Sequence, residues 1–270
     1  MAYMQDYHMH SDLSHDARSP MPPMAIAASG RGITEIAFTE HLCYDEFSDS
    51  WYGHDVDAAY EKLLEARRLA PRGVRLLYAI ELGQPQQDPA TAAAVLESHP
   101  YDFVVGSIHR LRGKADINKE PPSALRELDA LMEEYWEQSL TLARMVSFDV
   151  MGHIGYPLRY CERIPPAERA LASIDRYAPQ AEGLLAELAG AGRGIEINTQ
   201  GLRRGGEMAA GLKILRMFHE AGGEIVTVGS DAHCEEEAGA GIKEAIELAR
   251  AAGFSRIASY AERKPRMMRI

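Results

Sequence analysis

The stretch Met4-Gln5-Asp6-Tyr7-His8-Met9-His10-Ser11-Asp12-Leu13-Ser14-His15-Asp16 reads as a short strand, Met4–His8, that runs directly into imidazoles and a carboxylate. Alternate residues of an extended segment point the same way, so His8 and His10 share a face. The same join recurs along the chain. Brief runs rich in Val, Ile, Phe and Tyr lie at Glu35–Thr39, Arg75–Leu82, Phe103–Ser107, Val150–His153, Ile195–Asn198 and Ile225–Gly229, as expected of strands buried on both faces. Helical patterns separate them: Pro22–Ser29, Asp55–Ala70, Leu125–Val146, Pro166–Leu188 with an interruption near Pro179, Glu207–Ala221 and Glu235–Ala252. Alternating β and α units predict a parallel sheet with right-handed crossovers. Seven repeats over 270 residues fit a closed or nearly closed (β/α) barrel better than an open doubly wound sheet, with one domain over residues 1–270. Two connections are longer than a barrel needs, Cys43–His54 and Arg110–Ala124, and long loops after strands are where a barrel builds its pocket.

Composition narrows the function classes. Apolar residues make up 46% and charged residues 26%, ordinary for a soluble globular chain. Lys and Arg number 29 against 40 Asp and Glu, and the net charge of −11 speaks against a broad footprint for long nucleic acid. No apolar run is long enough to span a bilayer, and the first residues lack the basic and apolar regions of a signal peptide. Cys43, Cys161 and Cys234 are odd in number and scattered, as reduced thiols are. The expectation is a cytoplasmic protein that does not engage membranes; its oligomeric state is not legible.

Ionisable residues gather at one end of the strands. The first is followed by His8, His10, His15 and Asp16, and the second by Glu40 and His41. The third contains Glu81, the fourth runs into His109, and the fifth ends at His153. The sixth carries Glu196 and Asn198, and the seventh runs into Asp231 and His233. A barrel brings the C-terminal ends of its strands together, so these side chains become neighbours. Imidazoles and carboxylates so gathered suit Zn²⁺, Mn²⁺ or Fe²⁺ rather than Ca²⁺, whose ligands are oxygens. One His-x-His arises readily by chance, and a single strand Glu can be a paired core carboxylate. A ligand type at the same end of six strands is harder to explain piecemeal. His219, His99 and Cys234 read as structural, His54 stays open because its loop could lie over the pocket, and the glycines around Gly239 read as a flexible entry to the last helix.

The order H-x-H…D, T-E-H, an in-strand Glu, S-x-H, G-H, E-x-N and S-D-A-H resembles the PHP (polymerase and histidinol phosphatase) superfamily, from Asp6 to about Pro265. The opening D-Y-H-M-H-S-D-L-S-H-D, the stretch E-I-N-T-Q-G-L-R and the closing R-K-P most resemble its histidinol-phosphatase branch. The resemblance implies a distorted (β/α)7 TIM-like barrel and three divalent metal ions, zinc, iron or manganese. Position by position it implies one ion held by His8, His10, Glu81 and Asp231, and a second that shares Glu81 and adds His109 and His153. The third would take Asp16, His41 and His233, with His15 the neighbour that could replace Asp16. It also implies a phosphate grip by Arg203 first and Arg159 second, with Arg204 able to exchange with Arg203. Glu196 and Asn198 would orient ligands or meet the amine of an amino-alcohol substrate.

The activity so implied is hydrolysis of L-histidinol phosphate to L-histidinol and phosphate, a step of histidine biosynthesis. Clustered ions lower the pKa of a bridging water, and the resulting hydroxide attacks phosphorus in line. Glu81 would bridge two ions, and His233 or Asp231 are the candidates to relay a proton to the leaving group. Two rivals stand beside this reading. One is a phosphatase or exonuclease acting on nucleotides or short oligonucleotides. The other is an inert, metal-free binding module, which would be expected to have lost ligands, whereas none of the nine is missing.

Overall fold

The computed structural model of the chain describes residues 3–45, 49–203 and 211–270. Its strands, in chain order, are β1 (Gln5–Met9), β2 (Glu35–Asp45), β3 (Ser50–Gly53), β4 (Arg75–Gly83), β5 (Phe103–Ser107), β6 (Val150–Met151), β7 (Gly194–Asn198), β8 (Val226–Gly229), β9 (Arg256–Ala261) and β10 (Lys264–Arg269). β1, β2, β4, β5, β6, β7 and β8 follow one another in parallel pairing. β8 meets β1 through a single bridge, Met9 opposite Ala232. There Asp231 N–H donates to His8 O at 2.7 Å and His10 N–H to Ala232 O at 2.9 Å. Fully buried Asp6 staples this seam, accepting from the amides of Ser230 and Gly239 at 2.8 Å each. The result is the distorted, nearly closed seven-stranded barrel, with helices outside.

The strand period of two sorts the side chains. Along β4, Leu77 and Ala79 join the interior apolar cluster, while Leu76, Tyr78, Ile80 and Leu82 pack outward under the helices. Two residues beyond Ala79 on the inner face stands Glu81. The interior is therefore apolar at its floor, with Tyr7, Phe103, Val105 and Val150, and polar at its mouth. β1 departs from simple alternation: Asp6 pairs with Ile36, but Met9 pairs with Phe38. This bulge inserts one residue and resets the pleat. Tyr7 belongs to the interior cluster and Met9 to the outer core, and His8 and His10 both reach the mouth.

Antiparallel β9 and β10 plug the floor, a hairpin the sequence reading did not include. Tyr260 N–H donates to Tyr7 Oη at 2.7 Å, and Phe103 sits 4.9 Å from both the Tyr7 and Tyr260 rings. Three further expectations are corrected. Much of the expected Cys43–His54 loop is strand: Leu42–Asp45 of β2 pairs with β3 in an antiparallel ladder. The last helix spans Ile242–Ala251 rather than Glu235–Ala252: Gly239 and Gly241 both take φ of 76°, a left-handed geometry incompatible with helix, and Gly239 N–H is held by Asp6. That entry is thus a built turn rather than a flexible one. A helix at Pro89–Ser98 was also missed. The start of the expected Glu207–Ala221 helix lies outside the described residues, and its remainder is Leu212–Glu220.

Candidate metal centre

Glu81, 0% exposed, stands at the centre of the barrel mouth with its two oxygens turned to different sets of imidazoles. Oε2 faces His41 Nδ1 at 2.8 Å, His8 Nε2 at 3.4 Å and His10 Nε2 at 3.6 Å. Oε1 faces His153 Nε2 at 2.9 Å and His109 Nε2 at 3.2 Å. Asp231 Oδ1 completes the first set, 3.8 Å from His8 Nε2 and 3.5 Å from His10 Nε2. At the rim Asp16 approaches His41 Nε2 at 3.6 Å and His233 Nε2 at 3.3 Å. All nine residues singled out in the sequence therefore converge. Between Asp16 and His15, it is Asp16 that makes these two contacts; His15 is exposed, its ring 5.6 Å from that of His41.

The donors fit a metal. His8 Nε2 and both His10 nitrogens are buried with no hydrogen-bond partner among the described residues, a costly condition for polar atoms. Tetrahedral ligands at about 2.1 Å from an ion stand roughly 3.4 Å from one another. The edges joining His8 and His10 to Glu81 and Asp231 run 3.4, 3.6, 3.8 and 3.5 Å. These four edges are longer than the hydrogen-bond-length contacts that His41 and His153 make with Glu81, 2.8 and 2.9 Å.

Ligand orientation is set from behind. Glu196 Oε1 takes the Nδ1–H of His8 at 2.6 Å, leaving Nε2 to face the centre, and its Oε2 accepts from the amide of His153 at 2.9 Å. Asn198 Nδ2 bridges Glu196 and Asp231 at 3.2 and 3.1 Å. Both residues are at most 1% exposed, which places them behind the ligands rather than in contact with a substrate amine. Gly229 is required here, since a Cβ would lie 2.4 Å from both Glu196 Oε1 and His8 Cβ. His233 Nδ1–H donates to Asp231 O at 3.0 Å, so its Nε2 is the nitrogen left for Asp16 and the centre. Non-glycine residues His153 and Asp231 hold positive φ of 27° and 54°, strain of a kind that concentrates at functional sites.

Burial disfavours charge on Glu81, but His109, His8 and His41 hold it well below the usual carboxylate range. Burial likewise opposes ionised Asp231, yet His8, His10 and His233 depress it strongly. Burial above all, with His41 and His233 adding to the effect, drives His10 well below its ordinary value. Glu81, Asp231 and His10 are thus already in the protonation states a cation needs.

Of the basic residues, Arg203 lines the cavity and donates to Ser230 O and Asp231 O at 2.8 and 3.0 Å, with Glu237 at 3.4 Å. Arg159 donates to Gln200 Oε1 at 3.1 Å and Asp231 Oδ2 at 3.4 Å, while its buried Nε and Nη2 have no hydrogen-bond partner among the described residues. Arg204 lies outside the described residues. His54 is settled: its Nδ1–H donates to His41 O at 2.8 Å, and burial lowers it to about 4, so it braces His41 from behind. Cys234 is buried, as read.

Several contributors have no role assigned from the sequence, Glu40 among them although its place beside His41 is read there. Cys43 Sγ lies 3.6 Å from His109 Nδ1, and Gln84 Oε1 accepts from the amides of His109 and Arg110 at 3.2 and 3.3 Å. Glu40 binds the loop that carries Asp16, accepting from Ser11 N–H at 3.0 Å and from the Ser11 and Ser14 hydroxyls at 2.6 Å each. Ser14 Oγ in turn accepts from His41 N–H at 3.0 Å. Glu40→Ala leaves these donors unsatisfied and should cost about 3 kcal/mol in a urea titration, with Glu40→Gln losing about 1. An alanine variant within about 0.5 kcal/mol of the parent would contradict the clamp.

Above the cluster opens a cavity of about 520 Å³, whose walls include His15, Tyr52, Asp116, Lys119, Tyr156 and Tyr160. Among the described residues, no helix is long and apolar enough to cross a membrane. Comparison with known proteins agrees with this fold. A probable histidinol-phosphatase of Thermotoga maritima is 27% identical over 94% of this chain and 95% of its own. A histidinol-phosphatase of Lactococcus lactis is 24% identical over 96% and 95%. In fold, the chain matches a crystal structure of histidinol phosphate phosphatase from Lactococcus lactis, solved with zinc, L-histidinol and phosphate, at a TM-score of 0.83 with 21% identity, covering 98% of this chain and 100% of that one. The PHP domain model matches residues 6–200. With that match across most of its length, the chain belongs to the PHP domain family.

Proposed function

We propose that the protein is a metal-dependent phosphomonoesterase that hydrolyses L-histidinol phosphate to L-histidinol and phosphate. The observation that carries this reading is Glu81, whose two buried oxygens face five imidazoles with unpaired ligand atoms beside them. The relatives named histidinol-phosphatase, aligned over nearly their full length, favour this substrate.

In this reading three divalent ions, zinc, iron or manganese, occupy the centre. His8, His10, Glu81 and Asp231 hold one, Glu81 with His109 and His153 a second, and Asp16, His41 and His233 the third. Bound ions supply a water of lowered pKa and charge to offset the phosphate oxygens. Arg203 meets the phosphate from the cavity wall, and Arg159, behind Asp231, holds a buried fork of Nε and Nη2 without a hydrogen-bond partner among the described residues, suited to bidentate binding once turned to the cavity. Glu196 and Asn198 keep His8 and Asp231 in register. His233 Nδ1–H stays on Asp231 O, which favours ligation by this residue over proton relay. Asp231, held ionised with Oδ2 on Arg159 and Asn198, would orient a metal-held water to give the leaving oxygen its proton. The free, buried Cys43, Cys161 and Cys234 suit a reducing compartment such as the cytoplasm.

The test compares kcat/KM for L-histidinol phosphate with that for nucleoside bisphosphates and short oligonucleotides. A preference for histidinol phosphate of at least about 100-fold is expected, as for a site with matched polar contacts. A preference of similar size for a nucleotide would reject this function and favour the rival.

A further inference from the structure

Among the described residues, four carboxylates line the cavity above the cluster: Asp16, Asp116, Asp231 and Glu237. Three have cationic or imidazole partners. Asp16 faces His41 and His233, Asp231 faces Arg159 at 3.4 Å, and Glu237 faces Arg203 at 3.4 Å. Among the described residues no ion pair forms on Asp116. Its position is nonetheless fixed. Asp116 bridges Arg110, and the next residue, Ile117, donates its N–H to His109 O at 3.0 Å, which ties this turn to a ligand candidate. Oδ1 accepts from Asn118 N–H at 3.1 Å, and the Asp116 carbonyl takes the amides of Lys119 and Glu120 at 2.9 and 3.1 Å. That leaves Oδ2 available on a preorganised, half-buried turn. Lys119 lines the same cavity but is exposed on a long stem, so it does not take up this charge. Aromatic Tyr52 and Tyr156 line the cavity with Asp116 and feel its charge, which adds to burial in raising both phenols.

We propose that Asp116 is the specificity residue of this site: it pairs with a primary ammonium group on the alcohol part of the phosphate ester. This rests on the phosphomonoesterase reading above. The anionic end of the substrate goes to Arg159 and Arg203, and the cationic end to the one carboxylate on the wall that, among the described residues, has no counter-charge. An ester with a second phosphate in that place would meet repulsion instead.

The experiment measures kcat/KM on two substrate pairs, L-histidinol phosphate against its des-amino analogue and phosphoethanolamine against ethyl phosphate. The parent should prefer the ammonium member of each pair. Asp116→Asn, which keeps the turn's acceptor, should lower that ratio by about 30-fold, chiefly through KM, as loss of a charge-assisted bond predicts. Asp116→Glu should restore part of it. No preference in either pair for the parent protein overturns the inference, as does an unchanged ratio in Asp116→Asn or an equal fall on both members. If the parent prefers phosphoethanolamine over ethyl phosphate but leaves histidinol phosphate untouched, the histidinol reading fails and Asp116 stands. Absence of turnover on all four overturns both.

Discussion

Glu81→Gln should lower kcat/KM for a phosphomonoester by about 10³-fold or more, a larger loss than the roughly 10²-fold expected of Arg203→Ala. The substitution is nearly isosteric, so it leaves no cavity. What it removes is the charge that five imidazoles surround, and it places an amide N–H₂ where one oxygen faced His8, His10 and His41 or the other faced His109 and His153. No neighbouring carboxylate can replace it: Asp231 Oδ1 reaches only the His8 and His10 side of this set, and Asp16 sits at the rim. Arg203, by contrast, keeps two of its donors on backbone carbonyls, and Arg159 remains to grip phosphate in its absence. Steady-state kinetics on both variants checks the order, and near-normal turnover in Glu81→Gln would contradict the bridging role assigned to this residue.

Stripping the protein with a chelator should abolish turnover and lower the melting temperature by roughly 8 °C or more, if each ion is held about 1,000-fold below its working concentration. Loading the stripped protein should release protons. Burial opposes charge on His8, yet Glu196, Glu81 and Asp231 raise it well above its ordinary value. The same contest, won by Glu81 and Asp16, raises His41, and Glu81 with Cys43 pushes His109 up to about 10. Without ions these imidazoles therefore carry protons at neutral pH, and ions must displace them. Apparent affinity should rise with pH, by about tenfold per unit for each proton displaced, and for the His109 proton this continues to about pH 10. Calorimetric titration in two buffers of different ionisation enthalpy measures the proton count. A pH-independent affinity, or unchanged melting after stripping, would contradict this.

The convergence of the nine side chains was legible because each sits at the same end of a strand, and barrel topology turns that shared polarity into proximity. Glu81 was legible as the next inward position after Leu77 and Ala79 on the same strand. The β1 bulge was not: simple alternation would have carried the inward face from Tyr7 to Met9, and only the shifted register sends Met9 outward. The β9–β10 hairpin escaped because Lys264–Arg269 carries a Pro and several charges, as an exposed edge strand does, and its inward residues matter only through Tyr7 and Phe103 far away in sequence. Ala-rich Pro89–Ser98 shows no amphipathic period to read. Residues 235–241 look like a helix start by their acidic run, yet Arg31 takes the carbonyls of Glu236 and Ala238, and Asp6 takes the Gly239 amide. Glu40 and Asp116 illustrate the general reason for such misses. Their roles lie in which long-range donors they meet or fail to meet, which local pattern does not encode.

Elemental analysis of protein purified without chelator tests the central claim most directly. About three divalent ions per chain are expected, falling sharply in Glu81→Gln, because multinuclear catalysis of this kind needs the ions held together by shared ligands. Less than one ion per chain, with no recovery on adding Mn²⁺ or Zn²⁺, would contradict it and leave the cluster a set of buried imidazoles without a catalytic purpose.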